Sequence, residues 1–125
     1  MAEKQIESKI VRLLRESWAW CEQLQSWRVL IKKWPYSNMM HLCSKWTPDI
    51  IAFYKGTFYA IEVKKDQKEV DKWYKLEARY IQGETLPLSY DRELAQIEHK
   101  ELIERNWGDH IVSANPIEVL KFIWL

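Results

Sequence analysis

Three side chains stand at a spacing that can do chemistry on an anionic ester. They are Asp49 and, after twelve intervening residues, Glu62 and Lys64 of the triplet Glu62-Val63-Lys64. Two carboxylates can hold a divalent cation such as Mg²⁺, which prefers few protein oxygens and keeps several waters. A compact ammonium beside them can stabilise charge that develops on a phosphoryl group. The elements that must position these groups are legible around them. Pro48-Asp49 opens an apolar run from Ile50 to Tyr54, Lys55-Gly56-Thr57 signals a turn, and a second run goes from Phe58 to Lys64. Two β-rich runs around a glycine turn read as an antiparallel hairpin. Strand side chains alternate faces, so Tyr59, Ile61 and Val63 share one face and Ala60, Glu62 and Lys64 the other. An acid on a strand that otherwise reads as buried is costly unless it is paired or holds a metal. The bland alternative is a hairpin with a polar face and a surface ion pair.

The layout of Pro48-Asp49 followed by Glu62-Val63-Lys64 resembles the PD-(D/E)XK nuclease superfamily. Within it, the chain is similar to the virus-type replication-repair nucleases (VRR-NUC): an early helix with a glutamate (Glu3 or Glu7), then Asp49-Ile50-Ile51, Gly56, Glu62-Val63-Lys64, and Gln96 on a helix followed by Gly108. Glu7 lies further into the helix than Glu3 and is the preferred acid. The likeness covers most of the chain and departs at two places. Lys45-Trp46-Thr47 stands where such proteins often carry a glycine, and residues 66–90 read as a helical insertion. The resemblance implies a single restriction-endonuclease-like α/β domain with a mixed sheet flanked by helices. It implies Mg²⁺, with Mn²⁺ substituting, held by Asp49, Glu62, the Val63 carbonyl and Glu7, and it makes Gln96 an active-site hydrogen-bonding partner. Taken alone, Gln96 reads as an exposed helix residue.

Composition bounds these expectations. The chain has 125 residues and a net charge of +1, with no global electrostatic case for nucleic acid, so any such binding must come from local clusters. Cys21 and Cys43 form no CxxC, and His41, His99 and His110 are scattered, so a zinc site is not expected. The eight tryptophans are read chiefly as core, with one or two at an interface or against bases. The start MAEKQIESKI is charged and carries no signal-peptide pattern, and no apolar run is long enough to span a bilayer. The expectation is a cytoplasmic protein of a bacterium or phage-infected host.

Along the chain, residues 3–17 read as a helix with Ile6, Ile10, Leu13, Leu14 and Ser17 on one side, able to run on to Gln25. A short strand is expected at 27–32 and a loop at 36–46. Arg28, Lys32, Lys33 and Lys45 there are equally available to phosphate and to solvent. A helix over 68–82 puts Val70, Trp73, Leu76, Ala78 and Tyr80 on an incomplete apolar stripe. Lys68, Lys72, Lys75 and Arg79 share its basic face, a candidate phosphate track. The next helix, capped by Ser89 or Asp91, reaches Asn106 with Leu94, Ile97, Leu102 and Ile103 apolar and Gly108 at its C-cap. A strand over 111–114 precedes a last helix capped by Asn115, with Pro116 first, Glu118 completing a capping box, and Leu120 and Ile123 buried.

The function expected from this pattern is Mg²⁺-dependent endonucleolytic cleavage of DNA. The resemblance favours branched substrates, Holliday-junction resolution and DNA repair, carried out by a homodimer that sets two sites on opposing strands. The alternatives are a monomeric nickase or flap nuclease, a non-catalytic nucleic-acid-binding module of the same fold, and a subunit that works only in protein assembly.

Overall fold

The computed structural model describes residues 3–23 and 48–124. The expected strand at 27–32, the loop at 36–46, and Lys33 with Arg28, Lys32 and Lys45 lie outside them.

Helix α1 (Glu3–Glu16) buries Ile6, Ile10, Val11 and Leu14. It does not run on to Gln25. Trp18 takes a left-handed backbone (φ 67°), and the N–H groups of Trp18 and Ala19 return to Arg15 O and Leu14 O at 3.1 and 3.0 Å. That bond pair closes the helix end, and the chain leaves as strand β1 (Trp20–Gln23). The hairpin follows the sequence closely: β2 (Ile50–Tyr54) and β3 (Thr57–Val63). Its loop is Lys55-Gly56 with φ of 49° and 81°, the pair of positive values a two-residue hairpin turn needs. Thr57, expected in the turn, is therefore the first residue of β3, and Lys64 lies just past its end.

The basic helix is α2 (Gln67–Ile81), capped by Asp66, whose side chain accepts the Glu69 N–H at 2.9 Å. Val70, Trp73 and Leu76 are buried as expected, but Ala78 is exposed and Tyr80 only half-buried. A 3₁₀ turn (Leu88–Tyr90) leads directly into α3 (Asp91–Arg105). The first residue outside α3 is Tyr90, without a side-chain cap. Neither Ser89 nor Asp91 plays that part, because the turn itself delivers the chain. Leu102 of the expected apolar stripe is exposed. Strand β4 (Asp109–Ser113) begins two residues earlier than expected. The last helix, α4 (Pro116–Trp124), has its Ile117 N–H on Asn115 Oδ1 at 2.9 Å. Its capping box is not formed: the Asn115 N–H goes to Ser113 Oγ at 3.0 Å instead of to Glu118.

The four strands lie in the order β1-β2-β3-β4, antiparallel except for the parallel β3–β4 pair. This is a single small α/β domain with a mixed open sheet. Ile50, Ala52, Tyr59, Ile61 and Val63 face α1 and α4 in one apolar layer. Val112 faces Val70, Trp73, Leu76, Leu86 and Ile97 of the α2–α3 side in the other. Burying each such branched or aromatic side chain contributes roughly 1.5–3 kcal/mol, so both helical layers are integral to the core.

The tryptophans correct the expectation of core packing. Of those in the described residues, Trp73 is buried, whereas Trp18 and Trp107 are 94% and 91% exposed and Trp20 and Trp124 about half exposed. Trp18 and Trp107 share a cause: each occupies the left-handed residue that ends a helix (φ 67° in both). Trp107 therefore takes the position for which glycine is usual. Gly108 is needed for space: a Cβ there would lie 2.7 Å from Ile103 Cγ2 and 3.1 Å from Phe58 Cδ1. Gly108→Ala is expected to cost about 1–3 kcal/mol of stability by overpacking. Urea denaturation measures it, and an unchanged midpoint would mean that the α3–β4 corner gives way freely.

Candidate active site

One step before the first β2–β3 pair, Ile50↔Ile61, Asp49 stands across from Glu62. Asp49 Oδ2 accepts the Val63 N–H at 2.9 Å, which fixes the acid at the mouth of the hairpin. Val63 is itself buried on the α1–α4 side. Glu62 points to the opposite side and is 1% exposed. Its Oε2 accepts from Gln96 Nε2 at 3.2 Å, while Oε1 is buried with no donor among the described residues. Burial first, and the nearby Asp49 charge second, hold the Glu62 carboxyl well above the usual carboxylate range, against the pull of Lys64. An acceptor-only carboxylate oxygen in that setting calls for a proton or a cation.

Gln96, which alone reads as exposed, is 3% exposed. Its position on α3 turns it under the sheet, where its amide joins three elements. Nε2 donates to Glu62, and Oε1 accepts from Trp73 Nε1 at 2.8 Å and from Lys64 Nζ at 3.5 Å. Lys64 is half-buried, and its backbone N–H extends the β3–β4 ladder by a bond to Ser113 O at 3.0 Å.

From the other side of the sheet, the first two turns of α1 bring both Glu3 and Glu7 to Asp49. One carboxylate oxygen from each of the three lies within 4.8 Å of the others. Both α1 acids thus reach the site, and Glu62 stands apart from that mutual trio while coupling to it through Asp49. Glu7 is pushed up to about 7, by burial first and then by Asp49 and Glu3, and Glu3 is raised for the same leading reason.

Two contributors were not singled out from the sequence. Arg92, in the first turn of α3, lowers the proton affinity of Glu3, Glu7 and Glu62 alike. It stands four residues before Gln96, a spacing that shares a helix face and could have flagged it. Trp73 reads from sequence only as part of an apolar stripe, yet a buried indole N–H needs an acceptor, and a search for one leads to Gln96.

Lys68, Lys72, Lys75 and Arg79 are exposed along α2 as expected. Arg79 is held by Glu84 at 2.7 Å, and Lys72 lies over the Tyr90 ring at 5.5 Å. Cys21 is buried and free, and Cys43 and His41 lie outside the described residues. His110 is buried on β4, and burial, then the charges of Lys100 and His99, push it down to about 3, so it is neutral at ordinary pH. No helix among the described residues is long and apolar enough to cross a membrane.

Comparison with protein-family models, with curated proteins and with solved structures finds no match for this chain.

The raised Glu7 carboxyl has a consequence for stability. A carboxyl that holds its proton more tightly in the folded state than in the unfolded chain loses folding stability as pH rises between the two values. Without a divalent cation, the protein should therefore weaken from about pH 4.5 to about 7. Glu7→Gln should be more stable than wild type at pH 8, with the advantage shrinking towards pH 5. Thermal melting across that range in chelator measures it, and a difference independent of pH would remove the strain assigned to Glu7.

Proposed function

We propose that this chain is a metal-dependent phosphodiesterase of the PD-(D/E)XK type that cleaves DNA. The observation that carries the reading is Glu62: a carboxylate buried in the sheet, with one oxygen lacking a donor among the described residues, set across from Asp49 and two residues before Lys64. A protein that needed only a stable hairpin would place an apolar side chain there, since replacing buried charge by well-packed apolar groups is often neutral or stabilising. The donor set fits Mg²⁺ or Mn²⁺, both of which take carboxylate oxygen readily. Asp49 and Glu62 would hold the ion, with Glu7 or Glu3 contributing from α1, directly or through water. Bound there, such an ion supplies Lewis acidity and a water of lowered pKa.

The chain's own residues have separable parts in this reading. Lys64 sets its ammonium beside the carboxylates, where it can stabilise negative charge developing on the phosphoryl oxygens. Gln96 keeps Glu62 and Lys64 in register. Arg92 offsets the mutual repulsion of the acids. The exposed cations of α2 form a surface that a DNA backbone can follow. The preference for branched DNA and the two-fold dimer are carried by the resemblance of the motif to the virus-type replication-repair nucleases, and they belong to the same proposal.

Cleavage of a four-way junction and of linear duplex with the same sequence, in Mg²⁺ or Mn²⁺, tests the reading. Asp49→Ala and Glu62→Ala should each reduce cleavage to background while the fold persists, and chelator should do the same. Lys64→Ala should lower kcat by about 10²–10³-fold with little change in DNA affinity. Full activity in chelator or in either acid variant would overturn the mechanism. Equal cutting of duplex and junction by a monomer would point to a nickase and remove the resolvase reading. Separately, Lys72→Glu with Arg79→Glu should weaken DNA binding and flatten its dependence on salt. An unchanged slope would return the α2 stripe to solvent.

A further inference from the structure

We infer that Trp73 is a positioning residue for the acid–lysine pair, its indole N–H deciding which way round the Gln96 amide sits between Glu62 and Lys64. The functional consequence rests on the phosphodiesterase reading, whereas the positioning itself does not.

The two ends of a glutamine amide have nearly the same shape and opposite hydrogen-bonding character. In the observed orientation Oε1 takes the Trp73 N–H at 2.8 Å and faces Lys64 Nζ at 3.5 Å, and Nε2 donates to Glu62 Oε2 at 3.2 Å. Turned over, the amide would set its NH₂ against an indole N–H and an ammonium, and its oxygen against a carboxyl oxygen. Of the three partners, Trp73 is the one that enforces the choice. A carboxyl accepts when ionised and donates when protonated, so Glu62 can satisfy either end of the amide. Lys64 is half-buried on a flexible stem, and its contact is at the long limit for a hydrogen bond. The indole N–H can only donate, and its bond is the shortest of the three.

The indole is also the partner held most rigidly. Trp73 is 1% exposed. The His110 ring stacks on it at 5.7 Å with planes 21° apart, and Tyr74 meets it edge-on at 5.2 Å. Lys100 Nζ lies 5.7 Å from its ring centre and is tied to Glu77 of the same helix as Trp73 at 2.7 Å. The two His110 nitrogens have no hydrogen-bond partner among the described residues, so its ring serves this arrangement as a flat plate. An amide anchored this way presents a donor to Glu62 and an acceptor to Lys64, the orientation that suits an ionised acid beside a cation.

Proton exchange in ¹⁵N-labelled, metal-free protein reads the positioning directly. Trp73→Phe keeps an aromatic ring in the core and removes the donor, together with some volume. The Gln96 side-chain NH₂ should then exchange with solvent about tenfold faster, the equivalent of one hydrogen bond. Val70→Ala, a core truncation in the same layer, should leave it protected. In the reciprocal variant Gln96→Leu, the Trp73 indole proton should lose protection by a similar factor. That arm decides the matter if Trp73→Phe fails to fold. Unchanged protection of Gln96 in Trp73→Phe, or of the indole in Gln96→Leu, overturns the inference, as does equal loss in Val70→Ala. In cleavage assays Trp73→Phe should lower kcat with KM unchanged, and the double variant with Gln96→Leu should be no worse than Gln96→Leu alone. Additive losses would overturn the coupling. If the wild type does not cleave DNA, the phosphodiesterase reading fails while the exchange measurements still decide the part of Trp73.

Discussion

The constraint on which the rest depends is a carboxylate buried in the middle of the sheet. Glu62 sits between Ile61 and Val63, which face the α1–α4 layer, and is paired in register with Val112 of β4. A charge in that position is expensive unless its oxygens are engaged. One is engaged by Gln96, and this requires α3 to pass beneath the sheet at the height of Glu62. Gln96 in turn needs a donor for its own oxygen, which requires Trp73 and therefore α2 in the same layer. The crossover from β3 to β4 by way of two helices is thus tied at one point by three polar bonds within the α2–α3 layer. A fully satisfied buried network fixes one arrangement, and a partly satisfied one is costly. Among the described residues, Glu62 Oε1 is the one oxygen of this network without a partner.

The sheet's open edges are managed around this centre. Among the described residues β4 is an edge strand, and its Val112 N–H is taken by Tyr74 Oη at 3.2 Å. On the opposite edge, Arg15 reaches the Cys21 carbonyl of β1 at 3.2 Å and pairs with Glu22 at 3.3 Å. Side chains that satisfy strand edges reduce pairing with other chains. Tyr74 stands next to Trp73, so the turn of α2 that supplies the indole to the site also closes the β4 edge. One segment of helix meets both demands, and this explains why residues 66–90 form part of the core layer.

The hairpin, its turn and the faces of β3 were legible because each rests on local rules: alternation, a glycine turn and a β-rich run on either side. Helix α2 was legible from its periodicity, and α4 from its periodicity and its Asn115 cap. Asp66 was not foreseen as a cap, and Asn115 was. What escaped has a physical pattern. Trp18 and Trp107 stop helices in a left-handed conformation that sequence would assign to glycine or asparagine. At Gly108 the demand for space against Phe58 and Ile103 is a long-range one, and chain order does not show it. Gln96 is buried on a helix whose apolar periodicity is weak: Leu102 is exposed and Ile97 fully buried. Its burial therefore follows from where α2 and Glu62 lie. Arg92 and the partnership of Trp73 with Gln96 are pairwise facts of the fold. The acid–acid–lysine spacing could locate the site and could not reveal what holds it.

The site also straddles the sheet, and this decides where it can be. Glu62 and Lys64 belong to the α2–α3 side, and Glu3 and Glu7 come from α1 on the other. A group that is to touch both sets cannot lie within the hydrogen-bonded ladder, where every side chain is committed to one face. Asp49 satisfies the requirement because it stands one residue before β2 begins, with Pro48 before it removing a backbone donor and restricting the approach. Its Oδ2 takes the Val63 N–H, so the acid is anchored by backbone. That single position sets the Asp49 charge beside acids from both layers, so Glu62, Glu7 and Glu3 are each raised by burial first and by Asp49 second. Buried acids set beside another acid's charge are costly to stability, and on the reading proposed above a bound cation would offset that cost.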